Sequence, residues 1–186
     1  MLKKVIAFVD GENLTFRFEA MLAEGRKPQA DVIHVPSSFV WSPKLTLWSH
    51  FDLIRVHYFT SVVGDEDRVA QLQRQIGTTD FICEGGGFRG NSKLIPRIHK
   101  KTAASRKTKV VDVELTMDVM RAALTMPIDG IYVLSGDGDY LPLFREVTRS
   151  SKQLYTGAFS SGLADGIRHV GEAFVDLDSL FFQPAQ

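Results

Sequence analysis

The chain has 186 residues, 44% of them apolar, and its 22 Lys plus Arg are balanced by 22 Asp plus Glu. That length and composition suit one domain over residues 1–186 with a sizeable core, and the zero net charge excludes a whole-molecule field toward nucleic acid or membrane, so any electrostatic message must be local. The single Cys83 excludes an intramolecular disulfide and a multi-cysteine zinc site, and it reads as a buried structural thiol in a reducing compartment.

The opening MLKKVIAFVD ends its apolar run at Asp10, too soon for a signal peptide or a membrane span. It predicts a first strand over residues 5–9, buried on both faces. No later segment reaches the length of a membrane helix, so the expected location is the cytoplasm with no membrane partner. Residues 12–24 predict a helix. Residues 25–50 are punctuated by proline and polar residues and read as an insertion, in which 41–50 suggests a helix with Pro43 in its first turn. A strand follows over 53–60, a helix over 65–76, and a short third strand over 80–83 before the glycines at 85–87. Residues 85–111 read as a basic loop.

A helix is predicted over 112–126, because Val113, Met117, Met120 and Leu124 recur at helical spacing. Residues 130–134 give a fourth strand, 140–150 a helix that tolerates Pro142 in its first turn, 154–159 a fifth strand, 163–173 a helix, and 174–177 a last extended piece. Strands alternating with helices predict an α/β fold with an open, mainly parallel sheet of about five strands. In such folds, sites gather at the carboxyl ends of the strands.

Asp10 follows the first strand, and Asp137 and Asp139, in GDGD, follow the fourth, so all three fall at that edge. Asp112 opens a helix. Stepping about 100° per residue gives that helix two apolar flanks, with Asp112 among the inward positions and Glu114, Asp118 and Arg121 on a solvated face. Four carboxylates about 5 Å apart would repel by roughly 3 kcal/mol per pair at an effective dielectric near 20. Either some are protonated or divalent cations lie among them, and an all-oxygen cluster suits Mg²⁺ or Mn²⁺. Such ions meet the needs of phosphodiester hydrolysis. The structural alternatives are that Asp-Gly makes turns, that Asp139 caps the next helix, and that Asp112 caps its own.

Between the glycines and Asp112, the segment GFRGNSKLIPRIHKKTAASRKTKVV carries Arg89, Lys93, Arg97, Lys100, Lys101, Arg106, Lys107 and Lys109 with no acid. Beside a metal site it would hold a phosphate backbone, and Phe88 and His99 would stack on bases of a single strand. A solvated loop without a ligand is the alternative. Ser160 and Ser161, expected at a helix start, would cap that helix or meet a phosphate. The histidines show no paired metal spacing, and no serine sits in a nucleophile elbow.

FVDGENL (8–14), KVVDVELTMD (109–118), YVLSGDGDYLPL (132–143) and GAFSSGLADGIRHVGEAFVDL (157–177) together resemble the NYN domain family, including LabA-like proteins, within the PIN-like nucleases. The resemblance implies a PIN-like three-layer α/β/α sandwich, an acidic metal site and RNA cleavage. It places the catalytic and metal carboxylates at Asp10, Asp112, Asp137 and Asp139, with Asn13, Ser135 and Asp118 as supporting positions. The expected function is therefore a metal-dependent ribonuclease acting on single-stranded RNA. The alternatives are an RNA-binding regulatory module with weak or no cleavage, and a haloacid-dehalogenase-like phosphatase, which fits poorly at Glu12. The apolar LFF at 180–182, with Trp41 and Trp48, packs within the chain or forms a homodimer contact.

Overall fold

All of Val5 to Val9 is buried, as a strand covered on both faces requires, and the run forms β1 (Lys4–Asp10) inside the central sheet. The structure is a computed structural model that describes residues 2–47, 51–85, 88–101 and 109–184, without the side chains of 83–85 and 88–89. Trp48, Arg106 and Lys107 therefore lie outside the described residues, as do the glycines at 86–87 and the side chains of Cys83, Phe88 and Arg89.

After β1 come α1 (Gly11–Ala23), a hairpin of β2 (Ile33–Val35) and β3 (Phe39–Trp41), β4 (Asp52–Val63), α2 (Glu66–Thr78), a second hairpin of β5 (Asp80–Gly85) and β6 (Phe88–Lys93), and β7 (Ile95–Lys101). Then follow α3 (Lys109–Thr125), β8 (Gly130–Leu134), α4 (Leu141–Arg149), β9 (Gln153–Ala158), β10 (Ala173–Asp176) and the short α5 (Asp178–Phe181). Six strands pair in parallel in the order β10-β9-β8-β1-β4-β7. Chain order runs outward in both directions from the β1–β8 pair, which makes that pair the topological switch point where a crevice opens at the carboxyl edge.

Helices cover both faces, giving three layers. On one face Leu14, Phe18 and Met21 of α1 pack with Phe39, Trp41, Phe159, Phe181 and Phe182. On the other, Leu115, Val119 and Ala122 of α3 and Phe144 and Val147 of α4 pack on Ile6, Phe8 and Phe59. The Phe18 and Phe182 rings stack with centroids 5.0 Å apart, so the apolar tail is seated inside its own chain.

Four sequence expectations are corrected. The insertion at 25–50 builds core: Phe39, Val40, Trp41 and Leu45 are fully buried, and the helix expected from 41 shrinks to one 3-10 turn (Pro43–Thr46) capped by Ser42. The expected third strand lies in the β5–β6 hairpin outside the central sheet, whose outer strand is β7; the described part of 85–111 is thus largely strand, where its polarity read as loop. A strand at a sheet edge with intermediate burial has no continuous apolar run to announce it. The helix expected at 163–173 does not form, because Gly166 takes a left-handed φ of 91° and only a short 3-10 turn (Ile167–His169) follows. Finally, only one of the two apolar flanks of α3 is buried; Val113, Met117 and Leu124 on the other are 57, 56 and 67% exposed.

Candidate active site

The end of β1 and the end of β8 are joined by a short polar lattice. Asp10 is fully buried. Its Oδ1 accepts from the backbone N of Asn13 at 3.0 Å, which caps α1, and its Oδ2 accepts from Ser135 Oγ at 3.0 Å. Ser135 Oγ in turn accepts from Asp137 N at 3.2 Å, while Asn13 Oδ1 accepts from Gly136 N at 3.1 Å. Asp137 Oδ1 accepts from Asp139 N at 3.0 Å, capping the 3-10 turn Gly138–Tyr140 that leads into α4. The caps thus fall on Asp10 and Asp137, where none was expected, whereas of the two expected caps Asp139 makes none and Asp112 lies within the first turn of α3.

Tyr140 feels the charge of several of these acids. The residue is 3% exposed, and its hydroxyl donates to Asp112 Oδ1 at 2.9 Å. Burial first, and then the charges of Asp10 and Asp112, the bond to Asp112 and the charge of Asp137, hold the phenol well above the usual tyrosine range, so it stays a neutral donor. The charges of Asp10, Asp112 and Asp137 thus all act on one phenol although they come from β1, α3 and the loop after β8. Asp139 is exposed and lines, with Asp112, Tyr140 and Lys109, an open cavity of about 500 Å³. Among the described residues, no three His, Cys, Asp or Glu side chains are gathered tightly enough to hold an ion as they stand. The donor chemistry nevertheless fits a hard cation, since every group that would face it is a carboxylate or hydroxyl oxygen.

Tyr140 escaped the sequence reading because it follows GDGD as an ordinary helix-opening aromatic. Glu12 escaped it too. Its side chain is 9% exposed, accepts from Ser61 Oγ and pairs with Lys101 Nζ at 3.1 Å. A charged residue in the first turn of a helix directly after a strand-ending acid was the available signal.

Asp118 is placed away from this group. Its side chain is 14% exposed between Arg97 of β7 at 3.8 Å and Arg121 at 2.5 Å, so this member of the face read as solvated is packed toward β7. Asp118 also opposes the effect of Arg97 on buried His57, whose pKa is lowered to about 4 chiefly by burial, then by Arg97, with a smaller push from Arg55. The basic arm is largely paired where it is described: Lys93 with Asp80 at 2.6 Å, Arg97 with Asp118, Lys100 with Glu66 at 3.0 Å, and Lys101 with Glu12. His99 is held by Glu114. Lys109 reaches the cavity beside Asp112. Ser160 opens no helix; its N and Oγ both donate to Asp178.

A family model described as the NYN domain matches residues 4–178. The chain belongs to the NYN domain family. With it comes membership of the PIN-like nuclease superfamily and a nuclease-like, nucleic-acid-binding character. Comparison with curated proteins finds no match. Among solved structures, this NYN domain is similar to a protein of unknown function from Vibrio parahaemolyticus RIMD 2210633, with a TM-score of 0.58 and 15% identity over 98% of this chain and 97% of that one. The similarity extends the shared fold over nearly the full length. Among the described residues of the NYN domain, no helix is long and apolar enough to cross a membrane.

Proposed function

We propose that this NYN domain is a metal-dependent ribonuclease that hydrolyses phosphodiester bonds in single-stranded RNA in the cytoplasm. The observation that carries the reading is that Asp112 accepts from the buried hydroxyl of Tyr140, on which the charges of Asp10 and Asp137 also act. Three carboxylates drawn from distant parts of the chain act on one phenol, and a hard cation bound beside them would offset their repulsion.

Asp10, Asp112, Asp137 and Asp139 would hold a Mg²⁺ or Mn²⁺, which when bound supplies neutralising charge and makes water acidic enough to attack phosphorus. The other residues act through position. Asn13 and Ser135 fix the Asp10 carboxylate and tie it to the loop carrying Asp137. Tyr140, kept neutral, orients Asp112 by donating to one of its oxygens. Asp139 and Lys109 stand at the open mouth of the cavity, where an incoming phosphate would meet them. Glu12 and Lys101 form a paired flank at the far end of β7. Asp10 is a poor candidate for the nucleophile of a phosphatase, because it is fully buried with both oxygens already accepting hydrogen bonds.

A second reading, an RNA-binding module that cuts slowly, draws on the finding that no three such side chains among the described residues are gathered to hold an ion as they stand. Incubating the pure protein with end-labelled single-stranded and duplex RNA, in Mn²⁺, in Mg²⁺ and in chelator, tests both. Cleavage of the single strand that needs the cation and disappears in Asp137→Ala supports the ribonuclease. Salt-sensitive binding with intact RNA after long incubation would favour the module.

A further inference from the structure

Among the described residues, Lys93, Arg97, Lys100 and Lys101 of the cations expected to hold RNA are engaged with carboxylates, whereas Arg17 of α1 has no carboxylate partner. Arg17 lies one turn beyond Asn13, and residues four apart share a helix face. Asn13 holds Gly136 N, next to Asp137. The loop after β9 lies over the same place: a side chain added at Gly136 would come within 3.5 Å of Gly162 O. Gly162, with a left-handed φ of 64°, leaves no room for a side chain of its own, because the Arg17 guanidinium fills that space. Arg17 is thus seated against the loop after β9, which lies over the loop that carries Asp137.

Two further features mark this seat. Arg17 Nε is buried and has no hydrogen-bond partner among the described residues. Buried donors are nearly always satisfied, so an exception calls for a reason. The guanidinium also lies 5.2 Å from the ring centroid of Phe16, a large aromatic that is 62% exposed. A planar fork of donors matches a phosphate, and an exposed ring beside it matches the face of an unpaired base.

We propose that Arg17 and Phe16 form a nucleotide-holding subsite for single-stranded RNA, the guanidinium taking a phosphate next to the one cleaved and the Phe16 ring stacking on a base. This rests on the ribonuclease reading. It directs the strand from the acidic cavity across the Asp137 loop onto α1, with Gly162 shaping the seat.

The test is fluorescence anisotropy of the full-length protein with a labelled single-stranded RNA, in chelator and in Mn²⁺, across a range of salt concentrations. Arg17→Ala should weaken binding about tenfold and flatten the dependence of log affinity on log salt by about 0.7, the contribution of one phosphate contact in a single strand. Arg17→Lys should keep the salt slope. Phe16→Ala, at an exposed position, should weaken binding at least about fivefold with the slope unchanged, as expected for a lost stack. Wild-type RNA binding with Arg17→Ala and Phe16→Ala indistinguishable from it would overturn the subsite and leave the ribonuclease reading standing. No RNA binding by the wild type in either condition would bring down the reading and the subsite together.

Discussion

Replacing Asp10 with Asn exchanges one oxygen for an amide nitrogen at a fully buried position. The oxygen that caps α1 at Asn13 N keeps its role, but the group facing Ser135 Oγ turns from acceptor to donor. Ser135 Oγ already accepts from Asp137 N, so its hydroxyl proton loses its carboxylate. Losing a hydrogen bond to a charged acceptor costs about 1.5–3 kcal/mol. Removing the charge relieves repulsion from Asp112 and Asp137, about 3 kcal/mol for each neighbour roughly 5 Å away at an effective dielectric near 20. Relief from two such neighbours, about 6 kcal/mol together, exceeds the loss, so in chelator Asp10→Asn should melt no lower than wild type. Mn²⁺ separates them. At a hundredfold excess over its dissociation constant the ion should stabilise wild type by about 2.7 kcal/mol, several degrees in melting temperature, and stabilise the variant far less. Thermal unfolding in chelator and in Mn²⁺, run beside a gel assay of RNA cleavage, measures both. A variant with the full wild-type Mn²⁺ shift, or the wild-type cleavage rate, would refute the assignment of Asp10. Asp10→Ala is the poorer probe, because it strips acceptors from two groups and confounds folding with chemistry.

Tyr140→Phe removes the donor to Asp112 Oδ1; melting temperature should fall by a few degrees and cleavage about tenfold, and unchanged values of both would deny Tyr140 its orienting role. His57 is held at about 4 against an ordinary 6.5, so the unfolded chain binds the proton more readily. Its contribution is complete above pH 6.5 and is lost as pH falls toward 4, by up to about 3 kcal/mol. Urea midpoints at pH 7 and pH 4.5 should differ less in His57→Gln than in wild type, and equal differences would contradict the burial argument. Lys101→Met removes the cation 3.1 Å from the largely buried Glu12 carboxylate. It should lower stability by about 3 kcal/mol, with much of the loss recovered when Glu12→Gln is added; a double variant as unstable as the sum of the singles would show that the pair is not coupled.

How much of the molecule was legible depended on burial. Strands β1 and β8 declare themselves because a strand covered on both faces must be largely apolar, and Asp10 and Asp137 follow from where those strands end. Strand β7 was hidden because an edge strand is free to carry IPRIHKK, a pattern that reads as loop. The helical projection of α3 located Leu115 and Val119 correctly, yet it could not tell that Val113, Met117 and Leu124 of the opposite apolar flank are exposed, since periodicity reports a stripe and not what covers it. Asp118 was misread for the same reason: Arg97, its partner, sits on the strand that was missed. Tyr140 and the Glu12–Lys101 pair depend on contacts between distant elements, which local sequence does not encode.

The hydrogen bond from Ser135 to Asp10 spans 125 positions of the chain and crosses the seam where β8 meets β1. Strands β1, β4 and β7 come from the amino-terminal part and β8, β9 and β10 from the carboxy-terminal part, so each side of the seam is a three-stranded unit in its own right. Neither unit carries a complete acid group. Non-local parallel pairing forms late and slowly, which makes catalytic competence a property of the joined halves: on refolding, RNA cleavage should return no sooner than this seam closes, however early each half collapses.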